Sequence, residues 1–315
     1  MTQLINPTEF NSAVKKLRTF FTQKGYTEVH TQNRLSILAA CEDPTTVATY
    51  NYNEQIWPLP QTGQMWLEYE LLTKPELNGV FCVSTSYRQE QNPVPGRHDT
   101  IFPMFEFEQK GNFEDMLSLE AELCQYMGFN NNRNFPIHTY KEWCKEFEVE
   151  ELDHAEEEKI SDQHESGVGF ITYFPYSTSP FWNMKRVDGD DTAYKCDVII
   201  DGKETIGSAE RSCDIKAMKE EFYTISEGGY SNLLFDLFGK ERVEAELDEF
   251  FQHDFIPRFG GGIGMTRMIS AMKKSGLLNI QQPTQQECVD EVKSMFQNKS
   301  GQSGTDELTS VSSSV

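Results

Sequence analysis

A chain of 315 residues is long enough for one large domain with a sizeable core. Its 25% charged and 37% hydrophobic residues are a globular composition, and its net charge of −22 argues against a basic nucleic-acid platform, although a positive groove can sit on an acidic protein. No apolar run approaches the roughly 20 residues that a membrane helix needs, and residues 1–10 form no apolar signal region. The seven cysteines (41, 82, 124, 144, 196, 213, 288) show no CxxC pairing, so reduced, buried thiols in a cytoplasmic protein are expected.

In chain order, Asn6-Pro7-Thr8-Glu9 opens a helix whose apolar stripe is Phe10, Val14, Leu17, Phe20 and Phe21, and Gly25 stops it. Residues 26–31 read as a strand. Residues 60–72 begin in a turn and become a helix. Residues 81–87 and 102–108 alternate as two strands, with Met104, Glu106 and Glu108 set against Phe105 and Phe107. Between them lies a turn-rich loop with Asn92-Pro93 and Pro95-Gly96, so the pair reads as a hairpin with a long tip. Arg88 and Glu90 are two apart and share one face. Arg97 and His98 sit in the loop, with Phe102 just after. Guanidinium forks suit phosphate oxygens and an aromatic ring can stack on a base. A surface hairpin with a cross-strand ion pair is the plainer interpretation of these residues alone.

Residues 113–128 carry Met116, Leu119, Leu123 and Met127 at helical spacing. Residues 142–166 are charge-rich, with Glu156-Glu157-Glu158 at the middle, and read as a solvated helical insert; His154 and His164 show no metal-ligand spacing. Residues 169–175 read as a buried strand. Residues 196–200 and 203–206 form a hairpin about Asp201-Gly202, which can set Asp197 and Glu204 across from each other. Two carboxylates facing one cavity are costly unless a cation lies between them. Residues 222–254 are helical and acidic. Residues 253–259 approach as a strand the glycine-rich run Gly260-Gly261-Gly262-Ile263-Gly264, and Arg267 falls in the first turn of a helix after it. That run fits neither dinucleotide nor P-loop spacing. The Ser/Gly/Thr-rich residues 298–315 read as a disordered tail after a domain spanning 1–297.

Taken together, these segments resemble the class II aminoacyl-tRNA synthetases, in particular the aspartyl/asparaginyl subgroup. Tyr87-Arg88-Gln89-Glu90 with Arg97-His98 and Phe102 resembles the family's second motif, and Gly260-Gly261-Gly262-Ile263-Gly264-Met265-Thr266-Arg267 its third. Asp197, Glu204 and Arg211 keep the family spacing, since 204−197 and 211−204 both give 7. Gln64 and the stretch Phe181-Trp182-Asn183-Met184-Lys185 resemble asparaginyl members.

The resemblance implies an α+β (mixed α/β) fold with a central antiparallel sheet flanked by helices, a first-motif helix and strand forming a homodimer interface, and a catalytic core without an anticodon-binding domain. It implies ATP as substrate and Mg²⁺ as cofactor, with an Asn/Asp-like amino acid activated as aminoacyl-adenylate. Carried over by position, Arg88 meets the α-phosphate and the substrate carboxylate, and Arg267 the γ-phosphate end. Glu90, Gly262 and Gly264 contribute to the ATP site, and Arg97 or His98 meets the β/γ oxygens. Phe102 stacks on adenine, sandwiched by Arg267. Asp197 and Glu204 hold the metal, Gln64 and Glu106 the substrate ammonium, and Arg211 its side-chain end. The acceptor stays open between tRNA and ammonia or another amine, the latter in the manner of an AMP-forming asparagine synthetase. A non-catalytic paralogue acting as a binding module is the remaining alternative.

Four positions depart from the family pattern: Gln32 for proline, Tyr87 for phenylalanine, Thr266 for an acidic residue and Arg258 for histidine. Leu67 stands where aspartyl members carry a lysine, which favours an amide-bearing substrate unless Leu67 is simply core.

Overall fold

The computed structural model describes residues 4–32, 35–37, 44–90, 92–93, 99–178 and 181–278. Arg97, His98 and the 298–315 tail lie outside these.

Helix α1 (Pro7–Gln23) starts as its sequence dictates: Asn6 caps it, its side chain accepting from the amides of Thr8 and Glu9. Strand β1 (Thr27–Glu28) is shorter than the six residues expected. The hairpin of β2 (Thr49–Tyr52) and β3 (Gln55–Pro58) follows, which no sequence signal indicated. Next come α2 (Gln64–Thr73), β4 (Gly79–Tyr87), β5 (Ile101–Lys110) and α3 (Phe113–Met127). After β6 (Ile137–Thr139) the charge-rich stretch forms α4 (Tyr140–Phe147) and α5 (His154–Asp162). Strand β7 (Val168–Pro175) leads to the hairpin of β8 (Thr192–Ile200) and β9 (Lys203–Glu210). Its turn residues Asp201 and Gly202 have φ of 54° and 75°, as Asp-Gly turns require. The expected helix over 222–254 is three: α6 (Ile215–Thr224), α7 (Gly229–Phe238) and α8 (Lys240–Phe250). Gly228 and Gly239 break it, with φ of 85° and 87°.

The glycine-rich run is a strand and not a loop: β10 (Arg258–Gly264), followed by α9 (Met265–Lys274). It lies between β5 and β9, antiparallel to both, in an eight-stranded sheet of order β1-β4-β5-β10-β9-β8-β7-β6. Only the outer pairs β1/β4 and β6/β7 are parallel. The reason for glycine is spatial. A Cβ at Gly260 would collide with the Glu108 carboxylate and come within 2.6 Å of the Phe107 carbonyl.

Alternation along the strands assigns the two faces. Phe105 and Phe107, with Val198, Ile206, Phe259 and Ile263, pack against α1, α3 and α9 to form the main core. One carboxylate is enclosed in it. Glu120 of α3 is fully buried, with the Ser208 hydroxyl and the Cys196 thiol as its polar neighbours, and the Ser208 hydroxyl also lies 3.2 Å from the Cys196 carbonyl. A second core, built on Trp182, Phe222, Leu234, Leu247 and Phe250, joins α6, α7 and α8 to Met65 and Leu72 of α2. Cys82, Cys124, Cys144 and Cys196 are buried and free, and Cys213 is free and exposed. Among the described residues no helix is long and apolar enough to cross a membrane.

Candidate active site

The sheet face away from the main core carries a row fixed by strand register. Cys82 pairs with Glu106, Glu106 with Gly262, Gly262 with Gly207, and Gly207 with Asp197. The two central glycines leave a trough between carboxylates on β5 and β8. Above it opens a cleft of about 270 Å³, lined among others by Arg88, Glu90, Phe102, Glu204, Gly262, Gly264 and Arg267. Seven residues singled out in sequence, spread over 180 positions, therefore meet in one hollow.

Arg88 leaves the end of β4 with its amide donating to the Thr100 carbonyl (2.8 Å), which closes the hairpin beneath the long tip. Its guanidinium lies over the Phe102 ring, 5.5 Å from the centroid, and its buried Nε has no hydrogen-bond partner among the described residues. The cation over Phe102 here is Arg88. Arg267 instead donates to the Glu204 carbonyl (2.5 Å), with its Nη1 3.9 Å from the Glu204 carboxylate.

Glu204 and Asp197 lean over the same glycine. A Cβ at Gly207 would sit 2.8 Å from Glu204 Oε1 and 3.5 Å from Asp197 Oδ1. Lys195, two residues along the same face of β8, donates to Asp197 Oδ2 at 2.6 Å. Asp197 Oδ1 is buried and has no hydrogen-bond partner among the described residues. Burial pushes the Asp197 carboxyl up, Lys195 pulls it back, and Glu204 and Glu157 add to the rise. An orphaned, buried carboxylate oxygen beside a second carboxylate is a donor set that fits a hard divalent cation.

One expectation is corrected here. His154 and Glu157, in the stretch read as solvated, line the cleft, and Glu157 accepts the Glu204 amide (3.2 Å). The far side of α5 is packed, with Ile160 fully buried and Glu156 and Ser161 nearly so. Glu157 thus braces Glu204 through its backbone.

Gln64, Glu106 and Arg211 lie under the trough and not in the cleft wall. Glu106 is fully buried. Its carboxylate accepts from the Thr62 and Ser84 hydroxyls and from the Gly63 amide (3.0 Å to each oxygen). Burial still raises the Glu106 carboxyl against these hydrogen bonds, so a cation beside it would favour the charged form. Arg211 reaches Gln64 Oε1 (2.9 Å) and Glu108 (3.3 and 3.2 Å), and Gln64 donates on to the Gly261 carbonyl (2.8 Å).

Sequence reasoning passed over Glu108 and Glu68 as site residues, and these complete a buried group with Arg211 and Arg258. Arg258 is fully buried and bonds Glu68 Oε2 at 3.2 and 2.5 Å, while Asn183 donates to Glu68 Oε1 (2.6 Å). Two guanidiniums face two carboxylates, so the group is neutral overall. Leu67, by contrast, is fully buried with Leu71, Val80 and Cys82 and belongs to the core, so it is its neighbour Glu68 that faces the polar group.

Residues 8–282 match the family described as "tRNA synthetases class II (D, K and N)". The cytoplasmic aspartate–tRNA ligase of Bos taurus is 24% identical over 301 residues, covering 84% of this chain and 56% of that protein. The Homo sapiens counterpart is 23% identical over 295 residues, covering 82% and 55%. The chain therefore spans a little over half the length of the curated relatives it matches. Among solved structures, asparaginyl-tRNA synthetase of Pyrococcus horikoshii complexed with asparaginyl-adenylate superposes with a TM-score of 0.70 at 20% identity, over 84% of this chain and 64% of that one. The Entamoeba histolytica asparaginyl-tRNA synthetase, also with asparaginyl-adenylate, gives 0.67 at 18% identity, over 86% and 64%. The likeness in fold and the match over residues 8–282 agree: the chain belongs to the class II tRNA synthetases of the aspartyl, lysyl and asparaginyl group.

Proposed function

We propose that this chain activates the carboxylate of an asparagine- or aspartate-like amino acid with ATP, forming an aminoacyl-adenylate and releasing pyrophosphate for transfer of the aminoacyl group to tRNA. One observation carries the reading: Arg88, Phe102, Glu204, Gly262, Gly264 and Arg267 surround a single cleft over a glycine-floored trough.

The chemistry follows from charge. A carboxylate is a poor electrophile. Attack of its oxygen on the α-phosphorus, with departure of pyrophosphate, turns it into a mixed anhydride. No general base is needed, since the nucleophile is already an anion. The transition state gathers negative charge on phosphoryl oxygens, so cations fixed in advance lower the barrier. Arg88 is assigned to the α-phosphate and the substrate carboxylate, which aligns the reacting pair. Arg267 is assigned to the γ-phosphate end and Phe102 to the adenine face, with Glu90 beside them, and Arg97 or His98, outside the described residues, is assigned to the β/γ oxygens. Gln64 and Glu106 are assigned to the substrate ammonium and Arg211 to the side-chain end. Asp197 and Glu204 would hold Mg²⁺, which when bound neutralises phosphate charge. The same reading takes residues 1–297 as one catalytic domain, in a cytoplasmic homodimer.

Amino-acid-dependent exchange of labelled pyrophosphate into ATP is the test. Exchange with asparagine or aspartate, lost in Arg88→Ala and Arg267→Ala while both remain folded, supports the reading. Absence of exchange with every amino acid, or wild-type rates in both variants, overturns it. Formation of an amide and AMP from ammonia without tRNA would reassign the acceptor.

A further inference from the structure

We infer that Lys195 is a built-in counter-ion for Asp197, which holds the carboxylate pair too weakly charged to retain a divalent cation alone, so that the cation enters with the nucleotide. The inference rests on the assignment of Asp197 and Glu204 to the metal.

The geometry is specific. Lys195 and Asp197 are only 8% and 7% exposed, in the middle of β8. The Lys195 ammonium is 2.6 Å from Asp197 Oδ2 and lies on the face of the Phe174 ring, 3.7 Å from its centroid. The ring attracts the cation and keeps it from swinging out to solvent. The row partners of this pair, Ala209 and Gly207 on β9 and Ile171 on β7, offer no side-chain acceptor to draw the ammonium elsewhere. Asp197 is thus divided: one oxygen is committed to Lys195, and the other is buried beside Glu204, with no hydrogen-bond partner among the described residues.

Charge then sets the metal's position. Asp197, Glu204 and Glu157 would present −3 to an incoming ion, but the Lys195 ammonium and the Arg267 guanidinium beside Glu204 bring the local sum to −1, and Lys195 adds a direct repulsion at short range. Between charges so close in a partly dry site, that repulsion is large. A lysine ammonium is a compact point charge, which makes the opposition concentrated. Triphosphate oxygens restore the missing negative charge, and the ion is retained once they arrive.

The test is metal binding, which needs no catalysis. Purified full-length protein, stripped of metal, is titrated with Mn²⁺ and free ion is followed by electron paramagnetic resonance. Wild type should bind weakly without nucleotide. Lys195→Met should bind at least about tenfold more tightly, and Lys195→Arg, which keeps the charge, should resemble wild type. Circular dichroism checks folding. If Lys195→Met does not fold, Lys195→Gln, which keeps a donor to Asp197 without the charge, takes its place. Equal Mn²⁺ affinity in all variants, or weaker binding in the uncharged ones, overturns the inference and leaves Lys195 a structural partner. Mn²⁺ binding that survives Asp197→Asn overturns the metal assignment and the inference with it, as does no measurable binding by any variant. Intact Asp197-dependent binding with no effect at Lys195 sinks the inference alone.

Discussion

Replacing Glu120 by glutamine should stabilise the protein, and by an amount that grows with pH. The carboxyl is fully enclosed beneath the sheet, and the Ser208 hydroxyl and Cys196 thiol beside it offset only part of the cost of burial. Burial pushes it from 4.5 up to about 8, with Asp197 adding to the rise. The folded state therefore binds the proton more tightly than the unfolded chain does. Stability falls as pH rises from the unfolded value towards the folded one, and levels off above it. At about 1.4 kcal/mol per pH unit the full gap is about 5 kcal/mol, of which about 3 kcal/mol has been lost by neutral pH. Glutamine matches the protonated acid in shape and does not titrate, so wild type and Glu120→Gln should coincide in mild acid and diverge above it. Urea unfolding at several pH values between about 5 and about 9 measures the difference from the shift in midpoint at constant slope. A gap between the two proteins that stays constant with pH, or a wild type that gains on the variant as pH rises, refutes the enclosed-acid argument.

Other substitutions probe the site. Arg258→Met leaves Glu68 and Glu108 buried with one guanidinium between them and should cost about 3–5 kcal/mol in urea unfolding; a loss below about 1 kcal/mol would mean that the group is wet. Gly260→Ala drives a methyl into the Glu108 carboxylate and the Phe107 carbonyl, and should lower the thermal midpoint sharply or prevent soluble expression, whereas an unchanged midpoint would contradict the strand assignment. Phe102→Ala should raise KM for ATP in the exchange assay and spare KM for the amino acid, and the reverse pattern would remove the ring from the nucleotide's subsite. In the same assay Arg267→Ala should lower kcat/KM by about two to three powers of ten.

What could be read from the chain without coordinates was what local spacing encodes. The Arg88–Glu90 pair, the Asp-Gly hairpin and the Asp197–Glu204 pair that it sets over Gly207 are local, whereas Arg211 finds its partners Gln64 and Glu108 across 147 and 103 positions. The alternation of Met104, Glu106 and Glu108 against Phe105 and Phe107 already put Glu108 on the face of Glu106, so that residue was within reach. Glu68 and Arg258 were not, because they meet across 190 positions and only strand order brings them together. Lys195 carried no motif. Its meaning depends on which face of β8 turns towards Gly207, and that is a matter of register. The α5 stretch was misjudged for a different reason. Its acidic run shows the composition of a solvated helix, yet Ile160 and Ser161 tuck one side into the fold and leave Glu157 facing inward. Glycine disfavours strands in general, and in β10 the close approach of neighbouring side chains outweighs that preference.

A strand with almost no side chains at the heart of the sheet has a consequence for how such a molecule can diverge. Gly262 and Gly264 offer a bound molecule only peptide groups. Everything that tells one small molecule from another must then be contributed by the flanking ribbons and helices, where replacements are tolerated singly. A descendant chain could trade the wall residues one at a time and inherit the same bare floor unchanged.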